Sequence, residues 1–132
     1  MNKSQNTDLS IGVVHDYNED KFREVRSRAK VEEEERYRKA KKDPKVLLPK
    51  HKIDELVVTA WNYNNPKYML VEIVDMHEDR YDRFTYYGIV RKVSMNKLSQ
   101  FIGRIVHFAD EGYGKRSANV DPNSIKWLVE EK

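Results

Sequence analysis

The residues of this chain best suited to acid–base or metal chemistry are four histidines, His15, His51, His77 and His107, and a run of carboxylates around His77. Histidine titrates near neutrality and ligates metals, while paired carboxylates can divide acid and base roles once burial separates their pKa values. The spacing assembles neither device. The histidines are scattered, without the helical pairing that a metal-binding helix uses. His77, Glu78 and Asp79 could hold a cation weakly, but they stand in a polar stretch, residues 77–83 (HEDRYDR), that reads as a solvated loop. Asp75, Glu78, Asp79 and Asp82 make a carboxylate pair conceivable, yet nothing in that loop predicts the burial such chemistry needs. GYGKR at 112–116 contains a Gly-Lys pair. It lacks the four-residue glycine spacing, the following Ser or Thr and the helix start of a phosphate loop. No serine stands in a nucleophile elbow. The chain has no cysteine, which removes disulfides, thiolate zinc sites and thiol nucleophiles. The expectation is a protein that is not an enzyme and that carries no cofactor or metal.

Cations and aromatic groups offer more. Between residues 36 and 52 stand Arg36, Arg38, Lys39, Lys41, Lys42, Lys45, Lys50 and Lys52, against one acid, Asp43. On a nucleic acid these would displace condensed counterions and give salt-sensitive affinity with little sequence information. The same residues also suit a solvated helix end, because basic groups complement the negative C-terminal dipole, and the preceding Glu32 to Glu35 cancel part of the field. Trp61, Tyr63, Tyr81, Tyr86, Tyr87, Tyr113 and Trp127 are more aromatic groups than a small core easily buries. Strand alternation places Tyr86 or Tyr87, together with Trp127, inside. Tyr63, Tyr81 and Tyr113 fall in expected loops, where, beside Arg91, Lys92, Lys115 or Arg116, they could stack on bases or serve a protein hot spot.

The elements that position these groups follow from a change of character near Pro49. Of the whole chain 36% is charged and 39% hydrophobic, and the apolar share is concentrated after residue 55, so a core forms there and not before. Residues 1–17 form a polar N-terminus expected to be mobile, with a short strand possible at 11–14. Residues 18–43 read as a charged helical arm. Asn18 can cap its first amides, Glu19 and Asp20 complement its dipole, and Pro44 stops it near Lys42. Phe22, Val25 and Ala29 give its first turns a narrow docking stripe that fades into Val31, Tyr37 and Ala40. Its second half carries acid-to-base pairs four residues apart, Glu32 with Arg36, Glu34 with Arg38 and Glu35 with Lys39, each contributing about 0.2–0.5 kcal/mol. Residues 44–55 read as a basic linker.

Residues 56–132 read as a small β domain. Strands are expected at 56–61 (LVVTAW), 67–76 (KYMLVEIVDM), 84–93 (FTYYGIVRKV) and 102–108 (IGRIVHF), with a helical turn at 96–100, a tight turn at 121–124 and a last strand through Ile125, Trp127 and Val129. On the second strand Met69, Val71 and Ile73 share one face, and Tyr68, Leu70, Val74 and Met76 the other, with Glu72 among them. Gly88 inside the third marks a bulge or a bend. The fold class is therefore α+β, a small antiparallel SH3-like or Sm-like β-barrel preceded by a long charged α-helix. An open sheet with the helix packed across it is the structural competitor.

FTYYGIVRKV at 84–93, IGRIVHF at 102–108 and DPNSIKWL at 121–128 resemble the C-terminal β part of the YolD-like proteins of firmicute bacteria and their phages. LLPKH at 47–51 is similar to a proline-histidine segment of that family, although here no helices separate it from the first strand of the β domain. The resemblance covers about half the chain. It implies an SH3-like or Sm-like fold and a bacterial or phage setting, and it supplies no catalytic residues.

Function is therefore expected from binding. The partner is a nucleic acid or a nucleic-acid-associated protein, met by the basic arm and the β surface, with Arg36, Arg38, Lys39, Lys41, Lys42, Lys45, Tyr63, Tyr81, Arg91, Tyr113, Lys115 and Arg116 as candidate contacts. The alternative is a phage-type inhibitor or adaptor that docks on a host protein, and self-association is a third possibility. Between residues 19 and 43 eight acids offset ten bases, which weakens the electrostatic case for the first. With neither a signal segment nor about 18 continuous apolar residues, the expected location is the cytoplasm and no membrane partner is foreseen.

Overall fold

The computed structural model describes residues 12–16, 19–60, 68–78, 83–109 and 121–128. Strand β1 (Gly12–Asp16) precedes the arm helix α1 (Glu19–Lys42), and four further strands follow: β2 (Leu56–Ala60), β3 (Tyr68–Glu78), β4 (Phe84–Val93) and β5 (Arg104–Ala109). They form one antiparallel sheet in the order β1-β5-β4-β3-β2. The class is α+β, as the alternation of apolar residues after Pro49 predicts.

The sheet does not close into the expected barrel. Its pairing ends at β1 on one side and at β2 on the other, and no described residue of β1 pairs with β2. The competing arrangement, an open sheet with the helix packed against it, describes the described residues. β2 is short and pairs only with 68–72 of β3, so no described strand lies beside the second half of β3 on that side. Part of that edge is taken by the turn before β2, where Asp54 N donates to Ile73 O at 2.7 Å and Ile73 N donates to Glu55 O at 3.0 Å. Among the strands α1 packs chiefly against β3.

Two apolar clusters lie on the two faces of the sheet. Met69, Val71, Ile73, Tyr86, Val90, Val106 and Phe108 fill the larger one, joined by Ala29 of the helix. Val74, Ile89 and Ile105 form the smaller one, joined by Phe22 and Val25. A register shift between Ile73 and Asp75 explains why β3 departs from simple alternation. Val74 lies in the smaller cluster, opposite Ile73, as alternation expects, but the extra residue inverts the faces from Asp75 onward and brings Met76 to the larger cluster, so Met76 does not share a face with Val74 as expected.

Gly88 sits in register with Ile73 beside this irregularity. A Cβ at Gly88 would stand 3.1 Å from Glu72 O and 3.1 Å from Val71 Cβ, so the glycine permits close approach of the β3 backbone. After β4 the chain makes a short 3-10 helix, Asn96–Phe101, and turns into β5 through Gly103 at φ +84°. Leu98, on that helix, is buried in the larger cluster.

The expected last strand does not form in the described part of the C-terminal segment. A 3-10 turn at Pro122–Ser124, capped by the Asp121 carboxylate accepting from Asn123 N, is followed by extended chain, and Leu128 N donates to Val93 O at 3.0 Å. Trp127 is half-buried and satisfies its indole N–H on Pro122 O at 2.9 Å. Pro122 has no amide to offer a ladder, and Asp121 favours a turn, which limits the pairing the segment can make.

Candidate functional site

The arm is docked along most of its length, and the docking decides which of its cations face solvent. Phe22, Val25, Ala29, Glu33 and Arg36 follow one another at steps of three and four residues, so they lie on one side of α1. Phe22 and Ala29 on this side are buried. Farther along, the contacts become polar. Glu33 Oε2 accepts the backbone N–H of Ile53 at 2.9 Å, and Arg36 Nη1 donates to Glu78 Oε1 at 3.0 Å while its guanidinium carbon lies 5.0 Å from the Phe84 ring centroid.

A second row, Arg26 and Lys30, meets the turn before β2. Lys30 Nζ is 2.6 Å from Asp54 Oδ2, and Arg26 reaches Asp54 at 3.4 Å and Glu72 at 3.6 Å. Asp54 adopts a left-handed backbone, φ 75°, which aspartate tolerates better than most residues. Glu72 also receives Arg91, through Nε at 2.9 Å and Nη2 at 2.7 Å. Arg91 is therefore drawn into the ionic seam between helix and sheet.

The chain after the helix is anchored as well. Tyr86, fully buried, accepts the backbone N–H of Lys50 at 2.9 Å and of His51 at 3.3 Å, and the His51 ring meets it edge-on at 5.0 Å. Glu55 accepts Lys52 N at 2.8 Å and pairs with His51 Nδ1 at 3.2 Å.

What remains on the outer side is a fan of cations. Arg38, Lys41 and Lys42, at steps of three and one, face away from the docked side, with Lys39 beside them and Lys45 just past the helix end. All five are exposed, and among the described residues no carboxylate pairs with their side chains. The helical pairs of Glu34 with Arg38 and Glu35 with Lys39 do not form, and Arg36 takes Glu78 in place of Glu32. Of the candidate contacts, Arg38, Lys39, Lys41, Lys42 and Lys45 thus gather at one end of the molecule, while Arg36 and Arg91 are held in ion pairs with the sheet. Tyr63, Tyr81, Tyr113, Lys115 and Arg116 lie outside the described residues.

Two features beside the fan were not singled out from sequence. Lys52 Nζ lies 5.3 Å from the Tyr37 ring centroid, which sets an aromatic group among the cations. Leu47 and Leu48 are 39% and 45% exposed, and Leu47 lines an open groove of about 570 Å³ with Val46, Glu32, Glu35, Lys39 and Lys45. Tyr37 precedes Arg38 and stands one turn before Lys41, a spacing open to reading. The return of Lys52 onto its ring depends on the folded loop.

The other chemistry-bearing cluster crosses β3, β4 and β5. Asp75 Oδ2 is 3.4 Å from His77 Nε2, the His77 ring meets Tyr87 edge-on at 5.4 Å, and Tyr87 meets His107 at 5.9 Å. Asp75 belongs to β3, as the expected strand 67–76 has it, but it is half-buried, although nothing in the sequence predicts burial of these carboxylates. Burial raises its pKa above the ordinary 3.8, with a smaller push from Glu32 of the helix, against the Met76 amide and the charges of His77 and Arg28. Burial likewise lowers the pKa of His107. Asp79 and Asp82 lie outside the described residues, and Glu78 is held by Arg36.

Among the described residues no three His, Asp or Glu groups are placed to hold a metal ion. No described helix is long and apolar enough to cross a membrane. No family model, curated protein or solved structure matches the chain.

Proposed function

We propose that the protein is a non-enzymatic binding module that contacts nucleic acid or a nucleoprotein through the outer face of the arm's C-terminal end. The observation that carries this reading is the fan of five cations with no carboxylate partner among the described residues, Arg38, Lys39, Lys41 and Lys42 on a helix whose other side is fixed to the sheet and Lys45 just past its end. A cation already held by a carboxylate gains little from a phosphate, whereas an unpaired one gains counterion release in full. Docking also removes the ordering penalty that a free arm would meet on binding. The net charge of +3 is modest, but the acids of the arm's middle are in part committed to the docked side, as with Glu33, which leaves the end locally positive.

The fold supports the role through stiffness. We read the open five-stranded antiparallel sheet as a relative of the small SH3-like or Sm-like barrels, with the arm helix packed against it. A cytoplasmic, bacterial or phage setting belongs to the same proposal.

A second reading, a protein-binding inhibitor or adaptor, is favoured by a different observation. The groove beside exposed Leu47 mixes apolar, acidic and basic groups, a composition suited to a protein surface. Fluorescence anisotropy with short labelled DNA and RNA, single- and double-stranded, separates the two. In the first reading binding weakens steeply with salt and is lost when Arg38, Lys39, Lys41 and Lys42 are changed to Gln. Absence of binding at low salt overturns it and leaves the groove as the interface.

A further inference from the structure

Tyr37 has no structural task that accounts for it. It belongs to neither apolar cluster, and among the described residues nothing hydrogen-bonds its hydroxyl. It is half-exposed on the flank of the cation fan, and its one described ring partner is Lys52, 5.3 Å from the centroid. Arg38, Lys41 and Lys52 border a shallow recess around it, together with Glu33 and Glu34. Glu33 is already bound to the Ile53 amide, so Glu34 is the acid of the recess with no partner among the described residues.

We propose that Tyr37 is the stacking platform for an unpaired nucleobase, with Arg38, Lys41 and Lys52 on the flanking phosphates, so that the arm prefers single-stranded nucleic acid to duplex. The inference rests on the nucleic-acid reading given above. Cations alone would not discriminate in this direction, since a duplex presents the denser row of phosphates. A ring among cations changes the balance. In a duplex both faces of every base are covered by neighbours, and an isolated tyrosine on a helix cannot reach them, whereas a single strand offers base and phosphate together. The lysine now over the ring does not bar the site. An ammonium on an exposed tyrosine is held more weakly than a stacked base, so an arriving base displaces Lys52, whose charge is then free to meet the phosphate. Glu34 opposes the phosphate and tempers the affinity of the recess.

The test uses the full chain and two fluorescein-labelled probes, an oligothymidylate of about 12 nucleotides and a mixed-sequence duplex of the same length, titrated at two salt concentrations. The wild-type protein is expected to bind the single strand more tightly. Tyr37→Leu should weaken single-strand binding about tenfold and leave duplex binding nearly unchanged, and Tyr37→Phe, which keeps the ring, should keep the preference. Thermal unfolding of each variant shows whether the arm is still docked. Glu34→Gln should strengthen binding of both probes. Preference for the duplex, equal weakening of both probes by Tyr37→Leu, or no effect of that substitution overturns the platform while leaving the cation fan in place. No binding of either probe by the wild-type protein at low salt overturns the underlying reading as well.

Discussion

Arg36, in the arm, and Glu78, at the end of β3, form a 3.0 Å ion pair across 42 residues of sequence. The pair divides the basic tract into two kinds of cation. Arg36 belongs to the fold, since it also lies over Phe84 and reaches Leu47 O at 3.4 Å. Arg38, two residues on, points the other way and has no described partner.

Substitution should separate the two roles. Both partners of the pair are about one-third exposed, so solvent screening reduces its contribution, and the ring contact adds a little. Arg36→Ala should lower the unfolding free energy by about 1–2 kcal/mol. Arg38→Ala should change it by less than about 0.5 kcal/mol. Urea denaturation of the two variants decides the matter, and the reverse ranking would mean that the arm is not held at Arg36.

Tyr86 ties the segment after the helix to the core through a single oxygen. Its hydroxyl receives the amides of Lys50 and His51, so Tyr86→Phe removes one acceptor and leaves two donors short. A cost of about 1–2 kcal/mol is expected, with faster hydrogen exchange at these two amides. Unchanged exchange there would show that the amides find other partners.

Gly88→Ala tests the close approach of β3 and β4. The added methyl would meet the Glu72 carbonyl oxygen and Val71 Cβ, both at 3.1 Å, and the carbonyl is backbone that cannot swing away. The variant should lose about 1–3 kcal/mol, which calorimetry would register as a lowered midpoint. A neutral result would mean that the β3 irregularity can absorb the methyl.

Much of this organisation was open to reading in the residues themselves. The helix end before Pro44, the strand of residues 84–93 and the buried face of Met69, Val71 and Ile73 follow from proline chemistry and alternation, which act locally. The failures are non-local. Alternation shows that a strand is half-buried but not which edge it meets, so nothing in residues 12–16 or 56–60 decides whether β1 and β2 pair. The irregularity between Ile73 and Asp75 leaves no mark in composition, and it moved Met76 to the other face. Sequence places Arg36 in the basic tract and offers it Glu32, four residues before, as a helical partner, whereas its actual partner, Glu78, is far along the chain. Of the expected site, the cluster from Arg38 to Lys45 was legible because it is contiguous. The neighbourhood of Tyr37 and Lys52 was not, since a loop has to fold back to create it.

The half-buried Asp75 and His107 should give stability opposing slopes with pH. Burial holds the folded-state pKa of Asp75 above its unfolded value near 3.8, so the folded state binds more protons than the unfolded state as the carboxyl titrates. Stability therefore falls as pH rises from 3.8 through the folded pKa, and Asp75 remains unfavourable at neutrality. His107 acts the other way. Its folded pKa lies below 6.5, so the folded state binds fewer protons in that window, and stability falls as pH drops from 6.5 through the folded pKa. Asp75→Asn can still accept the Met76 amide through its side-chain oxygen, which the aspartate does at 2.8 Å, while removing the buried charge. The variant should be at least as stable as the wild type at pH 7, and its stability should no longer decline across the window that begins at 3.8. His107→Gln should blunt the loss on the acid side of 6.5. Urea midpoints measured from pH 3.5 to 8 check both, and a less stable Asp75→Asn protein at pH 7 would show that attraction to His77 and Arg28 outweighs the burial of the carboxylate.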